Sequence, residues 1–285
     1  MNQPEILIVG INSFLGKAIY ELTKLRYTVT GIYNQHKENI PKGIASHQVE
    51  TISDLKGKLF KHIYLVSSYV PTPGMPEEDE KLVKVNLLLP KLITELFPSS
   101  RIVFCSSVSV YQHGINNKLL TIHDAPSPKS KYALSKLWGE STIASHDSYA
   151  ILRISSMYGV GIKTETFMPR IILHALSEGE IVLNGEGDRL QNYIHVNDVA
   201  KIAVEAAEHA DNMTVLAVSD RSYGNREIAE LILELIPGRI QYFGSDDSDS
   251  CVYDNAYTQE LLGEINYKSI KEGLKELIEW TTKKS

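Results

Sequence analysis

Tyr132 and Lys136 stand four residues apart in the run Tyr132-Ala-Leu-Ser-Lys136. On a helix, positions i and i+4 lie on one face, one turn apart, so the phenol and the ammonium project into the same space. A cation there favours the phenolate and would make Tyr132 a proton donor or acceptor near neutral pH. Tyrosine and lysine at this spacing also occur on many solvated helix faces, so the neighbours must decide between the two readings. Ala133, Leu134, Leu137 and Trp138 give the pair an apolar, helix-favouring setting. Upstream, Arg101-Ile-Val-Phe-Cys105 has the pattern of a buried strand and runs into Ser106-Ser-Val-Ser-Val-Tyr111. Hydroxyls at the carboxyl end of a strand are well placed for a ligand, and equally serve as turn formers.

The elements that must position these groups begin at the amino terminus. Ile6-Leu-Ile-Val9 is a continuous apolar run, the pattern of a buried parallel strand. Gly10-Ile-Asn-Ser-Phe-Leu-Gly16 follows, then a helical pattern at Ala18, Ile19, Leu22 and Leu25, then a strand over Thr28-Val-Thr-Gly-Ile-Tyr33. Strand, glycine turn, helix and strand make the nucleotide-binding βαβ pattern. Gly10 would allow the tight turn and Gly16 close helix–strand packing, with the helix N-terminus facing a pyrophosphate. Gly10, Asn12, Ser13, Phe14, Leu15 and Gly16 are therefore read as cofactor-binding. Ser13 occupies the middle position where the pattern usually has glycine. A serine can donate to a phosphate but limits the approach of the backbone. An acid at the end of the second strand would bind the adenosine ribose hydroxyls. Here the residues are Tyr33, Asn34, Gln35, His36 and Lys37, with no carboxylate before Glu38. Such a patch tolerates a 2′-phosphate, so NADP is expected in preference to NAD, against Tyr33, Asn34, His36 and Lys37.

His62-Ile-Tyr-Leu-Val66 reads as another buried strand, followed by a turn-rich segment from Ser67 to Gly74. Ser67 and Ser68 are placed on the cofactor. A helix is expected over residues 77–97, kinked or bounded at Pro90, with the polar Asn86 inside it as a further cofactor-binding candidate. Residues 114–131 read as a loop and Tyr149-Ala-Ile-Leu-Arg-Ile154 as a strand. The alternation of strand and helix through residue 154 predicts an α/β fold with a doubly wound parallel sheet. Beyond Gly159 we expect a helix over 167–176, a strand over 181–183 and a turn at Gly185-Glu-Gly187. Tyr193-Ile-His-Val-Asn-Asp198 is expected to open a helix. A strand over 215–218, a helix over 227–235 capped by Asn225, and helices over 257–262 and 270–280 complete the chain. This half reads as a smaller domain resting on the carboxyl edge of the sheet.

Composition sets limits on function. A net charge of −6 over 285 residues argues against a nucleic-acid surface. Cys105 and Cys251 fit no metal or redox spacing, so a reducing compartment is expected and no metal is assigned. Ile6-Leu-Ile-Val9 follows Glu5 and is too short for a signal peptide or a membrane span. We expect a cytoplasmic protein without membrane attachment.

Gly10 to Gly16, Asn86, Ser-Ser-Val-Ser-Val-Tyr111, Tyr132 to Lys136, Leu152-Arg-Ile-Ser-Ser-Met-Tyr-Gly159, Tyr193-Ile-His-Val-Asn-Asp198 and the tail from Leu261-Leu-Gly263 through Gly273-Leu274 to Trp280 occur in order. With them the chain resembles the extended short-chain dehydrogenase/reductase family, in its nucleotide-sugar epimerase/dehydratase/4-ketoreductase branch. The resemblance implies a Rossmann-like domain over residues 1–157. Residues 158–285 would be mainly a substrate-binding domain that caps it, with about 194–212 packing back on the first. It implies that Tyr132 is the catalytic acid/base. Lys136 would bind the nicotinamide ribose and lower the tyrosine pKa, and Ser107 would hold the substrate oxygen. Ser107, Ser109, Tyr111, Ser156, Phe167, Arg170, Arg189 and Gln191 would line the substrate, a nucleoside diphosphate sugar. The departures fall where selection occurs. Ser156 stands where the family often has asparagine. Gln191-Asn192 stands where it often has Arg-Asp, so a bidentate clamp on the diphosphate is lost and Arg189 or Arg170 would supply the charge. The reading placed first is an NAD(P)H-dependent reductase of a 4-keto-6-deoxy sugar nucleotide, serving deoxysugar biosynthesis for surface polysaccharide. The alternative is an NAD-dependent nucleotide-sugar 4-epimerase. The alternative of another class is a non-enzymatic NADP-binding sensor or scaffold. A dehydratase is disfavoured, because Val108 and Ser109 offer no Asp-Glu pair. The resemblance also implies a homodimer built through the helices that begin near Glu77 and Tyr132.

Overall fold

The structure, a computed structural model, describes residues 3–71, 78–111 and 118–283. Its first half alternates strand and helix. The elements are β1 (Glu5–Val9), α1 (Phe14–Thr23), β2 (Thr28–Tyr33), β3 (Ala45–Gln48), β4 (His62–Leu65), α2 (Asp79–Lys81), α3 (Leu89–Leu96), β5 (Arg101–Ser107), β6 (Leu119–Leu120), α4 (Lys131–Ala144) and β7 (Tyr149–Ile154). The second half holds β8 (Ser156–Tyr158), α5 (Phe167–Glu178), β9 (Glu180–Asn184), β10 (Leu190–His195), α6 (Val196–Glu208), β11 (Met213–Ala217), β12 (Ser222–Gly224), α7 (Asn225–Leu233), β13 (Arg239–Phe243), β14 (Val252–Tyr253), α8 (Ala256–Leu262) and α9 (Ile270–Thr282).

Seven strands form one parallel sheet in the order β11-β7-β5-β4-β1-β2-β3. Successive strand residues point to opposite faces, and here both faces are covered. Ile6 and Ile8 join Ile19 of α1 and Val199 and Ala203 of α6 on one side. Leu7 and Val9 join Leu89 and Ile93 of α3 and Ile143 of α4 on the other. A strand buried on both faces has no polar side to alternate, which is why the middles of β1, β4, β5 and β7 read as apolar runs, with polar residues such as His62, Arg101 and Arg153 near their ends. The expected doubly wound α/β sheet is the fold observed.

A separate apolar core holds the smaller C-terminal part together. It gathers Met168, Ile171 and Ile172 of α5, Ile228 and Ile232 of α7, and Leu274 and Leu277 of α9 around Tyr158, Tyr193 and Tyr223. The chain returns to the main sheet between these pieces: α6 packs on the α1 face and β11 pairs with β7 at the sheet edge.

Several elements differ from expectation. Residues 190–195 form strand β10, parallel to β8, and the helix starts only at Val196, with His195 as its N-cap. A short apolar run suits either element, and pairing with β8 decides for the strand. Asn225 opens α7 rather than capping it; the N-cap is Gly224. β3 has the polar sequence Ala-Ser-His-Gln and is an edge strand, so no apolar pattern announces it. The helix expected over 77–97 is observed from Asp79 to Leu96, Glu77 lying outside the described residues, but Leu82–Leu88 is π-helical. Pro90 has no N–H to donate to the carbonyl of Asn86, and the ladder slips so that Leu89 N donates to Lys84 O. Of the expected turn from Ser67 to Gly74 and the expected loop over 114–131, residues 72–77 and 112–117 lie outside the described residues. Among the described residues no helix is long and apolar enough to cross a membrane.

Candidate active site

The glycine turn between β1 and α1 is built so tightly that only glycine fits at its two ends. Gly10 has φ +99°, and a Cβ there would lie 2.9 Å from Ser67 Oγ. A Cβ on Gly16 would lie 2.1 Å from the carbonyl oxygen of Gly10. Ser13 sits at an ordinary φ of −76° and caps α1, its Oγ accepting from Gly16 N at 3.0 Å. Its hydroxyl proton stays available for donation. Leu15 is buried in the sheet-facing core, so its side chain is spent on packing. Phe14 is half-buried and faces Gly161, just beyond β8. Asn12 donates from Nδ2 to the carbonyls of Gln35 at 2.5 Å and His36 at 3.1 Å, tying the turn to the loop after β2. The close-packed glycine turn leading into the N-terminus of α1 fits a dinucleotide pyrophosphate.

The loop after β2 carries its only early carboxylate in a committed position. His36 adopts a left-handed conformation, φ +58°, and its Nδ1 lies 3.0 Å from Glu38 Oε1. A backbone hydrogen bond and the His36 contact hold Glu38 below the usual carboxylate range. Tyr33 packs against the sheet core. Asn34 accepts from Gln48 Nε2 through its carbonyl at 3.5 Å, and Lys37 is exposed.

α4 presents Tyr132 and Lys136 because Ser130 caps it, its Oγ accepting from Ala133 N at 3.1 Å. Ser107 is the last residue of β5, and its Oγ accepts from Ser109 N at 3.2 Å. The Tyr132 phenol is hydrogen-bonded with the hydroxyls of both Ser107 and Ser68. Lys136 is 1% exposed. Its Nζ donates to the Cys105 carbonyl at 2.5 Å and to Ser68 Oγ at 3.5 Å, and lies 4.4 Å from the centre of the Phe104 ring. Ser68 thus stands between the phenol and the ammonium. Asn86, itself 1% exposed, holds Ser68 in place. Its Oδ1 accepts from Ser68 Oγ at 3.2 Å and Tyr69 N at 2.9 Å. Its Nδ2 donates to Tyr69 O at 3.0 Å and Ser135 Oγ at 2.9 Å. All its polar capacity is used within the protein, so it acts on the site through Ser68.

The electrostatics differ from the simple picture of a lysine depressing a tyrosine. Burial raises the Tyr132 pKa, and the hydrogen bonds from Ser107 and Ser68 act against that rise. Burial brings the Lys136 ammonium down to about 8, with the charge of Glu140 among the groups opposing it. The ammonium is turned toward Cys105 and Ser68, and the low-polarity surroundings outweigh it at the phenol. Tyr132 is therefore protonated at neutral pH in this state, its phenol hydrogen-bonded by the Ser107 and Ser68 hydroxyls.

The remaining expected substrate residues are scattered in their environments. Ser109 Oγ is buried without a hydrogen-bond partner, available to a ligand. Tyr111 is 1% exposed and its hydroxyl accepts from Arg153, so it faces the interior. Ser156 is exposed at the start of β8. Phe167 stacks on Tyr193, ring centres 6.3 Å apart. Arg189 Nε donates to Asp249 O at 3.3 Å, and Gln191 Nε2 to Asn225 Oδ1 at 3.0 Å. Arg170 is exposed on α5 beside a cavity of about 500 Å³ whose lining includes Glu165 and His174 but none of Ser107, Tyr132 or Lys136. Sequence reasoning missed Glu140 and Arg153, buried directly beneath the site. Glu140 follows Lys136 by four residues on the same helix face, a spacing that could have drawn attention to it.

Comparison with known proteins places this arrangement. The model of the NAD dependent epimerase/dehydratase family matches residues 6–218. A protein of Methanocaldococcus jannaschii, provisionally named a UDP-glucose 4-epimerase, is 26% identical, covering 96% of this chain and 97% of its own. The UDP-N-acetylglucosamine 4-epimerase of Methanobrevibacter ruminantium M1, solved with UDP-N-acetylmuramic acid, superposes with a TM-score of 0.87 at 19% identity, covering 100% of both chains. The UDP-glucuronic acid 4-epimerase of Bacillus cereus, solved with UDP-glucuronic acid and NAD, gives 0.84 at 16% identity, covering 99% of this chain and 100% of that one. At such identities the two solved structures establish the shared fold. The family model spans the Gly10 turn, Ser107, Tyr132 and Lys136 in one continuous match, and the chain belongs to the NAD dependent epimerase/dehydratase family.

Proposed function

We propose that this protein is an NAD-dependent 4-epimerase of a UDP-linked sugar. The observation that carries the chemistry is the hydrogen-bonded set of Tyr132, Ser107 and Ser68 beside the buried Lys136, next to the Gly10 turn. The sequence reading puts a 4-ketoreductase first; the 4-epimerase names of the relatives support its alternative, and NAD in place of NADP. The chemistry that bound NAD supplies is reversible hydride acceptance from the sugar carbon. Tyr132 must first lose its own proton, a loss favoured by the positive charge of oxidised nicotinamide. As phenolate, its Oη takes the proton of the sugar hydroxyl and later returns it. Ser107 Oγ hydrogen-bonds the same sugar oxygen and holds it at the phenol. Ser68 donates to Asn86 Oδ1 and accepts from Lys136 Nζ, which holds the ammonium near the phenol, where its charge favours the ionised form. Residues 158–285 supply most of the sugar-nucleotide contacts, with Ser109, Ser156, Phe167, Arg189 and Gln191 lining the sugar and diphosphate. Two copies pair through Leu134 and Trp138 of α4 and Leu88 of the π-helical segment, apolar side chains 56%, 61% and 56% exposed on neighbouring helices.

The test is direct. Purified protein is read for bound nicotinamide absorbance and incubated with UDP-glucose, UDP-N-acetylglucosamine and UDP-glucuronic acid, and the products are resolved by chromatography. Appearance of the 4-epimer of one of them is expected. No epimer from any, together with NADPH oxidation by a 4-keto sugar nucleotide, would replace this reading by the reductase.

A further inference from the structure

The reacting hydroxyls sit on different elements, Ser107 on β5 and Tyr132 on α4, so their separation depends on how α4 seats against the sheet. A buried polar knot ties these elements together below the site. Glu140, on α4, and Arg153, on β7, are 5% and 7% exposed. Glu140 Oε1 accepts from Ser106 Oγ at 2.5 Å and Arg153 Nε at 3.1 Å. Its Oε2 accepts from Arg153 Nη2 at 2.7 Å and Nε at 3.3 Å. Arg153 Nη1 donates to the Tyr111 hydroxyl at 2.7 Å, and the guanidinium lies 5.0 Å from the centre of that ring. Ser106 and Arg153 are register partners across β5 and β7. The knot therefore spans α4, both strands, the residue before Ser107 and the end of the turn after it. We propose that Glu140 and Arg153 are positioning residues of the catalytic centre: their ion pair clamps the helix that carries Tyr132 and Lys136 onto the strand that carries Ser107. The inference rests on the catalytic reading of those three residues.

Stability alone gives the pair little reason to exist. Desolvating two charges offsets most of their attraction, and a well-packed apolar pair of the same volume does as well or better. What a guanidinium and a carboxylate add is direction, because the planar fork meets the carboxylate in a fixed orientation. The seat of α4 transmits that orientation without slack. A Cβ on Gly139, beside Glu140, would lie 2.7 Å from Phe104 Cζ and 3.1 Å from the Asn86 carbonyl oxygen. Any shift of Glu140 therefore moves α4 against β5 and against the residue that holds Ser68. The Glu140 charge also reaches Lys136, where it opposes the effect of burial on the ammonium.

The test uses the full chain and two readouts: steady-state 4-epimerisation across pH, and the titration of Lys136 followed by 13C NMR in ε-13C-lysine-labelled protein, assigned with Lys136→Arg. The double variant Glu140→Leu, Arg153→Met replaces the pair by apolar side chains. It leaves the buried Ser106 and Tyr111 hydroxyls without their partners and is expected to melt somewhat lower than wild type, while kcat falls on the order of 10- to 100-fold, the loss that small misplacements of reacting groups produce. KM is expected to stay nearly constant. Glu140→Gln is expected to lower kcat and to move the Lys136 titration to lower pH. Ser106→Ala keeps the ion pair and removes one strut, and it decides the matter if the other variants do not fold: kcat is expected to fall at least several-fold. A folded double variant with wild-type kcat overturns the proposal, as does Ser106→Ala with unchanged kcat. If the wild-type protein turns over no UDP-sugar, the proposed reaction fails on its own. The Lys136 ε-13C shift and titration in Ser106→Ala, which keeps the Glu140 charge, then decide the clamp: an unmoved signal counts against it and a displaced one for it.

Discussion

Lys136→Met should make the protein more stable and catalytically dead. Lys136 is 1% exposed, and burial brings its pKa from 10.5 to about 8. Every tenfold change in acidity corresponds to ~1.4 kcal/mol, so holding this ammonium in the fold costs roughly 3 kcal/mol at neutral pH. The bond to the Cys105 carbonyl and the contact with Phe104 also favour the charged form and offset part of that cost. Methionine keeps the length and apolar stem without the charge. The sign follows from proton counting. At pH 7 both folded and unfolded chains bind the proton. Between pH 8 and 10.5 the folded chain has released it while the unfolded chain still binds it, so wild-type stability rises with pH in that window. The advantage of Lys136→Met should therefore be at most about 3 kcal/mol at pH 7 and shrink by about 2 kcal/mol on going to pH 9.5. Urea unfolding of both proteins at the two pH values measures this, with epimerisation measured in parallel. A Lys136→Met protein less stable than wild type at pH 7, or an advantage that does not narrow toward pH 9.5, would refute the reasoning. The expected result is a stability cost borne for a charge that the reaction requires.

Tyr132→Phe removes only the phenolic oxygen, so it should keep NAD binding, measured by fluorescence titration, while kcat falls on the order of 10²- to 10⁴-fold, the usual contribution of a positioned acid/base. Full activity in this variant would sink the assignment. Gly16→Ala places a methyl 2.1 Å from the Gly10 carbonyl, a backbone atom that cannot swing away. It should destabilise the fold by about 1–3 kcal/mol or more and abolish NAD binding, and calorimetry with and without NAD checks both. Trp138→Glu, at a side chain 61% exposed, should leave the fold intact and shift the protein toward monomer in sedimentation velocity; an unchanged assembly state would place any interface elsewhere.

The sequence by itself determined whatever rests on local pattern. Apolar runs specify β1, β4, β5 and β7 because a strand covered on both faces is apolar over most of its length. Gly10 and Gly16 are legible because the turn between β1 and α1 leaves no room for a Cβ. Tyr132 and Lys136 are legible because helical spacing alone puts them on one face. Local pattern fails where pairing or packing chooses. β3 is polar and exists through pairing with β2, and 190–195 becomes a strand because β8 lies beside it. The π-helical turn at Asn86 follows from Pro90, yet only the closed structure shows Asn86 bracing Ser68, and Ser68 standing between Tyr132 and Lys136. The direction of the Lys136 ammonium, the raised pKa of Tyr132 and the Glu140–Arg153 pair are likewise decisions of the tertiary structure. Burial and the meeting of residues distant in the chain set them, and neither is written in the spacing of neighbours.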